Sequence, residues 1–280
     1  MKEENNSDTP LLLFKYGGNA MVNESLEKEV LHNICDLQNA GYQVVIVHGG
    51  GPFIKDILKK VDIKTEFIEG HRKTTSEAME YIEMALKGKV NTNLVNRINS
   101  FGSRAVGLSG IDGRTVLASR RVHKQMIDGE MVETDLGQVG DVDTVDPSLI
   151  KSLIKDNYIP VLACIASDRE GVRYNINADM FAGHIAGALR ATEFVVLTDV
   201  DGLLKDKDDP DSIIKKLELG QIKELLENGI IQGGMIPKIE SCEIALNRGA
   251  SAARIINGTA PEQIHAITKN EEVGTIIYQS

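Results

Sequence analysis

Leu11-Leu12-Leu13-Phe14-Lys15-Tyr16-Gly17-Gly18-Asn19-Ala20-Met21 is the stretch around which the rest of the chain can be read. Four apolar residues in a row predict a buried strand of the kind found in parallel sheets. The strand ends at Lys15, and Gly17 and Gly18 follow at once. Glycine lets the backbone turn tightly and lets a ligand approach main-chain N–H groups. Downstream, Leu26, Val30, Ile34 and Leu37 carry helical spacing across Glu24 to Gln38. A lysine at a strand end, beside glycine amides that lead towards a helix, is one way in which folds hold phosphate. Alone the pattern is weak, because strand–Gly-Gly turns without a ligand are common. Its recurrence gives it weight.

The second occurrence is Tyr42 to Val47, a β-branched run that ends in His48-Gly49-Gly50-Gly51-Pro52, with a helical pattern resuming at Phe53. Two such units place two glycine loops at the carboxyl edge of one parallel sheet, where α/β folds bind ligands. His48 follows a buried strand directly, which favours a structural, hydrogen-bonding role over catalysis. Ala105 to Gly110 is a third apolar-to-glycine transition. Between them, Phe67 to Thr75 reads as a polar loop, and Arg72 stands just before a long helix expected from about Ser76 to Asn99, capped by Ser76. Met79, Ile82, Leu86 and Val90 form one stripe on that helix, which is either core or a subunit interface. Arg114 to Val145 alternates polar and β-prone residues around Asp128-Gly129 and Gly137 and predicts hairpins. Tyr158 to Ala163, Phe194 to Leu197, Ala253 to Ile256 and Gly274 to Tyr278 read as further strands. Met180 to Leu189 and Ile239 to Arg248 read as helices.

A chain of 280 residues suits one large α/β domain or two lobes with a shared core. With 31 basic against 41 acidic residues and no basic stripe, nucleic acid is not an expected partner. No apolar run approaches the roughly 20 residues that span a bilayer, so no membrane association is expected. Met1 to Pro10 is polar and acidic; it does not read as a signal peptide and is expected to be a mobile tail. Cys35, Cys164 and Cys242 are far apart, odd in number and set among apolar neighbours, which predicts buried free thiols in a reducing cytoplasm. The chain has no GxxxxGK[ST] loop, no GxGxxG fingerprint, no GxSxG elbow and no metal-ligand spacing of His or Cys, so no metal site is expected.

What remains is a set of polar groups at strand ends: Lys15, Gly17 and Gly18, Gly49 to Gly51, Arg72, Asn175, Asn177, Asp179, Asp199 and Lys238. Two lysines, clustered glycine amides and one central acid suit a transferring phosphoryl group, whose charge spreads over its equatorial oxygens. The fork of Arg72 suits a carboxylate. Asp179, just ahead of a helix, also suits an N-terminal cap.

Lys15-Tyr16-Gly17-Gly18-Asn19-Ala20-Met21, Val47-His48-Gly49-Gly50-Gly51-Pro52, Gly88-Lys89-Val90-Asn91, Asn175-Ile176-Asn177-Ala178-Asp179, Leu197-Thr198-Asp199-Val200-Asp201-Gly202-Leu203 and Gly233-Gly234-Met235-Ile236-Pro237-Lys238 occur in this order. In these motifs the chain resembles the N-acetyl-L-glutamate kinases of the amino-acid kinase superfamily, from about Leu11 to Ile277. The resemblance implies a three-layer αβα sandwich with a mainly parallel open sheet. It implies a single domain over 11–280, with an acyl amino-acid-binding and dimerisation lobe at 11–173 and a nucleotide-binding lobe at 174–280. ATP with Mg2+ would be the substrate complex, with no tightly bound cofactor. Lys15 and Lys238 would stabilise the transferring group, oriented by Asp179. Gly50, Gly51, Arg72, Asn175 and Asn177 would hold N-acetyl-L-glutamate. Gly17, Gly18, Gly49, Thr198, Asp199, Gly234 and Met235 would lie at the nucleotide. Glycines of the first two loops would donate amides to phosphate oxygens.

Gly70-His71-Arg72-Lys73-Thr74-Thr75 departs from the family's usual loop, and Asn257-Gly258-Thr259 stands where relatives often carry an Asp-Gly-Arg-like turn. A carrier-linked α-aminoadipate kinase is therefore the alternative enzyme, and a basic docking face that included His71 and Lys73 would favour it. A non-catalytic amino-acid-binding regulator is a third reading, against which the presence of both lysines argues. The resemblance further implies a cytoplasmic homodimer through the helix at 76–99, with Met79, Ile82, Leu86 and Val90 as the face. The polar segment Met1 to Pro10 adds the expectation of little or no arginine inhibition.

Overall fold

All six residues of Leu11–Tyr16 are buried, as a central strand with both faces covered requires. The computed structural model describes residues 9–68, 70–127, 130–206, 208–269 and 271–279. The expected tail, for residues 1–8, and the expected Asp128-Gly129 turn lie outside the described residues. In chain order, β1 (Leu11–Tyr16) leads to α1 (Glu24–Asn39), β2 (Gln43–His48) and α2 (Gly51–Lys60). A small hairpin of β3 (Phe67–Ile68) and β4 (His71–Arg72) precedes α3 (Ser76–Glu83), a π-helical segment (Met84–Asn91) and α4 (Thr92–Ser100). There follow β5 (Ala105–Ser109), β6 (Val116–Ile127), β7 (Glu130–Val145), α5 (Ser148–Lys155), β8 (Ile159–Ala163), β9 (Ile165–Ser167), β10 (Arg173–Ile176), α6 (Ala178–Leu189) and β11 (Glu193–Thr198). The chain closes with β12 (Lys216–Glu218), α7 (Ile222–Glu227), α8 (Ile236–Asn247), β13 (Ala253–Asn257), α9 (Glu262–Thr268) and β14 (Thr275–Tyr278).

Eight strands form one sheet in the order β12-β14-β13-β11-β1-β2-β8-β5. Every neighbouring pair is parallel except β13–β14. The halves expected at 11–173 and 174–280 share this sheet. Alternation along β1 assigns its side chains to two cores. Leu11 and Leu13 pack with α2, α3, α6 and α8 on one face. Leu12, Phe14 and Tyr16 pack with α1, α4 and α9 on the other. Lys15 continues the first series, so it belongs to the face that carries α6 and α8. The chain runs from β1 to β2 on one side and returns to β11 on the other, which makes β1/β11 the point where strand order reverses. Parallel α/β sheets place ligands outside the carboxyl ends of the strands at such a point.

Beside this sheet β10, β7, β6 and β9 close into a small four-stranded barrel, which the sequence pattern showed only as hairpins. The expected hairpins are one long pair, β6–β7. Gly137 lies inside β7, not at a turn; its φ of 70° and its position against the Thr74 carbonyl leave no room for a side chain. The loop expected over Phe67 to Thr75 contains the β3–β4 hairpin.

The long helix begins at Ser76, but Thr75 is its cap, accepting from Ala78 N at 3.1 Å. Its stripe is corrected from a subunit face to core. Met79, Ile82 and Leu86 are fully buried within the chain and Val90 nearly so. Met79, Ile82 and Leu86 join the core of one sheet face, whereas Val90, Leu94 and Ile98 join that of the other. The rod thus crosses from one face of the sheet to the other, with the π segment between. The outward side is Glu77, Glu80, Met84 and Gly88. Cys35, Cys164 and Cys242 are buried and free. Among the described residues no helix is long and apolar enough to cross a membrane.

Candidate active site

Helix α6 starts where Asn177 Oδ1 accepts from Asp179 N and Met180 N, at 2.9 and 3.3 Å. Asn177 is therefore the cap, and Asp179 sits in the first turn instead of capping it. There its carboxylate receives Lys15 Nζ at 2.9 Å and Lys238 Nζ at 3.8 Å. Lys15 comes from the end of β1 and Lys238 from the first turn of α8, so three elements converge on one acid. The helix pair is held close by Gly183 of α6, where a Cβ would stand 2.4 Å from Ser241 O of α8.

This cluster is nearly dry: the side chains of Lys15 and Asp179 are each 10% exposed and that of Lys238 is 18% exposed. Burial would raise the Asp179 carboxyl, but the charges and hydrogen bonds of Lys15 and Lys238 outweigh it and hold it below the ordinary carboxylate value. Burial lowers the Lys238 ammonium, helped by the charge of Lys15, against the pull of Asp179. Two cations around one anion leave these three groups one positive charge in excess, which Asp199 on the wall of the adjoining cavity offsets.

The cluster faces that cavity, of about 250 Å³ and lined by Lys15, Gly17, Gly18, Leu197, Thr198, Asp199, Lys238 and Thr259. It lies at the carboxyl ends of β1 and β11, the reversal point of the sheet. A Cβ at Gly17 would come 3.2 Å from Lys15 Nζ and crowd the ammonium group, and Gly18 turns with φ of 72°. The next strand end carries a second opening, a cleft of about 880 Å³ lined by Gly51, Pro52, Lys55, Lys59, Asp62, Ile63, Lys64, Thr65, Phe67 and Arg72. Three lysines and an arginine against one aspartate make it suited to an acidic molecule. Arg72 stacks on the Phe67 ring at 4.5 Å, yet its buried Nη1 has no hydrogen-bond partner. Burial lowers its pKa. A guanidinium placed over a ring with a buried nitrogen left over suits a carboxylate.

The remaining expected residues divide. Gly49 N–H closes the β1–β2 ladder on Tyr16 O at 3.0 Å, so it is not a free amide. Gly50 packs on Leu86 and Gly51 opens α2. Asn175 lies on β10, two residues ahead of the Asn177 cap, whose oxygen is already committed to the helix. Thr198 Oγ1 donates to Asp199 Oδ1 at 3.2 Å. Gly234 and Met235 form the 3-10 turn that opens α8 and do not line the smaller cavity. Thr259 does line it, although the sequence marked that position only as a departure from pattern. Lys55, Lys59 and Lys64 were also missed, since surface lysines on a helix and its exit carry no local signal. His71 and Lys73 are engaged inside the chain, with Arg121 and Glu66.

Residues 10–257 match the amino acid kinase family. The chain belongs to this family. Two curated relatives named acetylglutamate kinase are 44% identical over 267 residues (Moorella thermoacetica) and 42% identical over 269 (Methanocaldococcus jannaschii), each covering 95% of this chain and 90% of the relative. A solved structure, smu.665 of Streptococcus mutans, superposes with a TM-score of 0.76 at 28% identity, covering 96% of this chain and 98% of its own. The αβα sandwich with its mainly parallel sheet is thus the amino acid kinase fold.

Proposed function

We propose that this protein transfers the γ-phosphoryl group of ATP to the γ-carboxylate of N-acetyl-L-glutamate, giving N-acetyl-L-glutamyl 5-phosphate and ADP in arginine biosynthesis. The observation that carries this reading is the Lys15–Asp179–Lys238 cluster, which holds two ammonium groups beside the glycine-lined cavity. Phosphoryl transfer asks the protein mainly for positioning and for positive charge where negative charge develops. The acceptor is a carboxylate, already ionised near neutral pH, so no general base is required. Lys15 and Lys238 stabilise the transferring group, and Asp179 fixes the two ammonium groups. Gly17 and Gly18 receive the nucleotide's phosphates, while Thr198, Asp199 and the Gly234–Met235 turn lie near the nucleotide. Gly50, Gly51, Arg72 and Asn175 hold the acyl amino acid, and Arg72 takes its α-carboxylate. Asn177 supports them as the cap of α6.

Mg2+ enters as part of the ATP complex. Among the described residues no three His, Cys, Asp or Glu side chains are grouped to hold a metal, and Asp179 is committed to its lysines. We place the reaction in the cytoplasm. The 11–173 part serves the acyl amino acid and the 174–280 part the nucleotide. The chain pairs as a homodimer through the outward side of the long helical rod, where Met84 stands 56% exposed. The carrier-linked alternative is less well supported, because His71 and Lys73, the residues offered for a basic docking face, are turned to partners within the chain. ADP release measured over N-acetyl-L-glutamate, L-glutamate, L-aspartate and N-acetyl-α-aminoadipate tests the assignment. The first acid is expected to be preferred by at least about a hundredfold, the scale reached when an omitted group leaves buried polar partners unpaired. Equal turnover of unacetylated glutamate contradicts it.

A further inference from the structure

His48 ends β2 with its side chain fully buried and lines neither of the two openings described above. Its Nδ1–H donates to Gly49 O at 2.8 Å. Its Nε2 lies 3.0 Å from Asn91 Nδ2, which also donates to Val161 O at 2.9 Å. A backbone carbonyl can only accept, so it is the amino group of Asn91 that faces both partners, and His48 Nε2 is the acceptor. The tautomer is thereby fixed with the proton on Nδ1. Burial pushes the imidazole down to about 4, so it stays neutral near pH 7.

The remaining end of Asn91 packs closely against β5. Its Oδ1 fills the space above Gly107 of β5, where a Cβ would stand only 2.0 Å away. Asn91 is the last residue of the π segment, and Leu86 and Val90 of the same segment lie beneath Gly50, at 2.5 and 3.5 Å from where its Cβ would be. One irregular turn thus supports the glycine loop from below and, through His48, from behind.

In a planar trans peptide the C=O and the following N–H point in opposite directions. The Gly49 carbonyl is drawn back onto His48, so the Gly50 N–H is turned away from the imidazole. Among the described residues Gly50 N–H has no protein acceptor, in contrast to Gly49 N–H, which is used in the ladder. We propose that His48 and Asn91 are positioning residues for phosphoryl transfer, locking the Gly49–Gly50 peptide so that the Gly50 amide is presented to the transferring group. This rests on the kinase reading above and names residues that touch neither substrate.

The test exploits side-chain geometry. Asparagine places an N–H where histidine has Nδ1, whereas glutamine reaches the Nε2 position and leaves Gly49 O without its donor. His48→Gln is expected to lower kcat about ten- to a hundredfold, the scale of a slightly misplaced reacting group, with KM for ATP nearly unchanged, and His48→Asn to restore kcat to within roughly threefold of the parent. Gly107→Ala reaches the same relay from β5 without altering the loop and is expected to resemble His48→Gln. Assays at one temperature well below every variant's Tm separate this from unfolding. Should His48→Gln match or exceed His48→Asn in kcat, or should kcat follow Tm across the three variants, the positioning role is overturned. The comparison is made with whichever acid the parent phosphorylates, so a wrong substrate assignment does not disturb it.

Discussion

In the proposed reaction Lys15 and Lys238 are the residues on which the chemistry turns. Each holds a positive charge in a nearly dry site, so replacing either with alanine removes an interaction that strengthens as charge develops. Lys15→Ala and Lys238→Ala are each expected to lower kcat by about a hundredfold or more, with smaller changes in KM, as read from steady-state kinetics. Arg72 calls for a different signature. Lysine cannot reproduce a bidentate fork, so Arg72→Lys is expected to raise KM for the acyl amino acid and leave KM for ATP nearly unchanged. A parallel rise in both constants would instead mark Arg72 as structural. His48 gives a stability prediction. Its folded pKa of about 4 lies below the ordinary 6.5, so the unfolded state binds the proton more readily. The stability it contributes is full above about pH 6.5 and is lost as pH falls through about 4. By linkage the loss is at most about 3 kcal/mol. Denaturation across that range should show it, and His48→Asn should make the curve shallower, leaving the part due to His184, whose imidazole burial also pushes down to about 4. These residues were legible because motif and chemistry coincide: a lysine at a strand end, glycines after it, an acid at a helix start. The lysines lining the larger cleft were not, because only the folded helix and its exit bring them to one opening.

At the scale of elements, the site depends on α6 and α8 lying close enough for one carboxylate to meet two lysines. Gly183 sets that approach. Gly183→Ala adds one methyl against the Ser241 carbonyl, and overpacking of this kind costs about 1–3 kcal/mol. Both Tm and kcat are expected to fall, since separating the helices also separates Lys238 from Asp179. Unchanged kcat at a lowered Tm would show that the site tolerates such movement. Strand and helix order followed from periodicity, because apolar runs and glycine punctuation are local signals. The π segment did not, since Leu86, Val90 and Leu94 are spaced like any α-helical stripe and only the crossing between sheet faces reveals the irregular turn. The closed barrel of β6, β7, β9 and β10 escaped for a related reason: closure is a long-range pairing that alternation within each strand cannot specify. The same stripe shows how burial decides between readings. Core and interface look alike in sequence, and only packing within the chain assigned Met79, Ile82, Leu86 and Val90 to the interior.

For the whole molecule, the sheet's reversal between β1 and β11 explains why one edge carries both openings. Charge is arranged on the same plan: in a protein of net charge −10, lysines and an arginine line the two openings, which suits the two anionic substrates proposed. The proposed pairing of two copies through the rod is checked by light scattering with Met84→Glu, which is expected to shift a dimer towards monomer. The account as a whole rests on a carboxylate being phosphorylated. Its most direct measurement is to trap the product with hydroxylamine during turnover with ATP and N-acetyl-L-glutamate and to identify the hydroxamate by mass and fragmentation. The expected product is the γ-hydroxamate of N-acetylglutamate, formed in step with ADP and absent in Lys238→Ala at the same protein concentration. ADP without hydroxamate, or a hydroxamate on the α-carboxyl, contradicts the account.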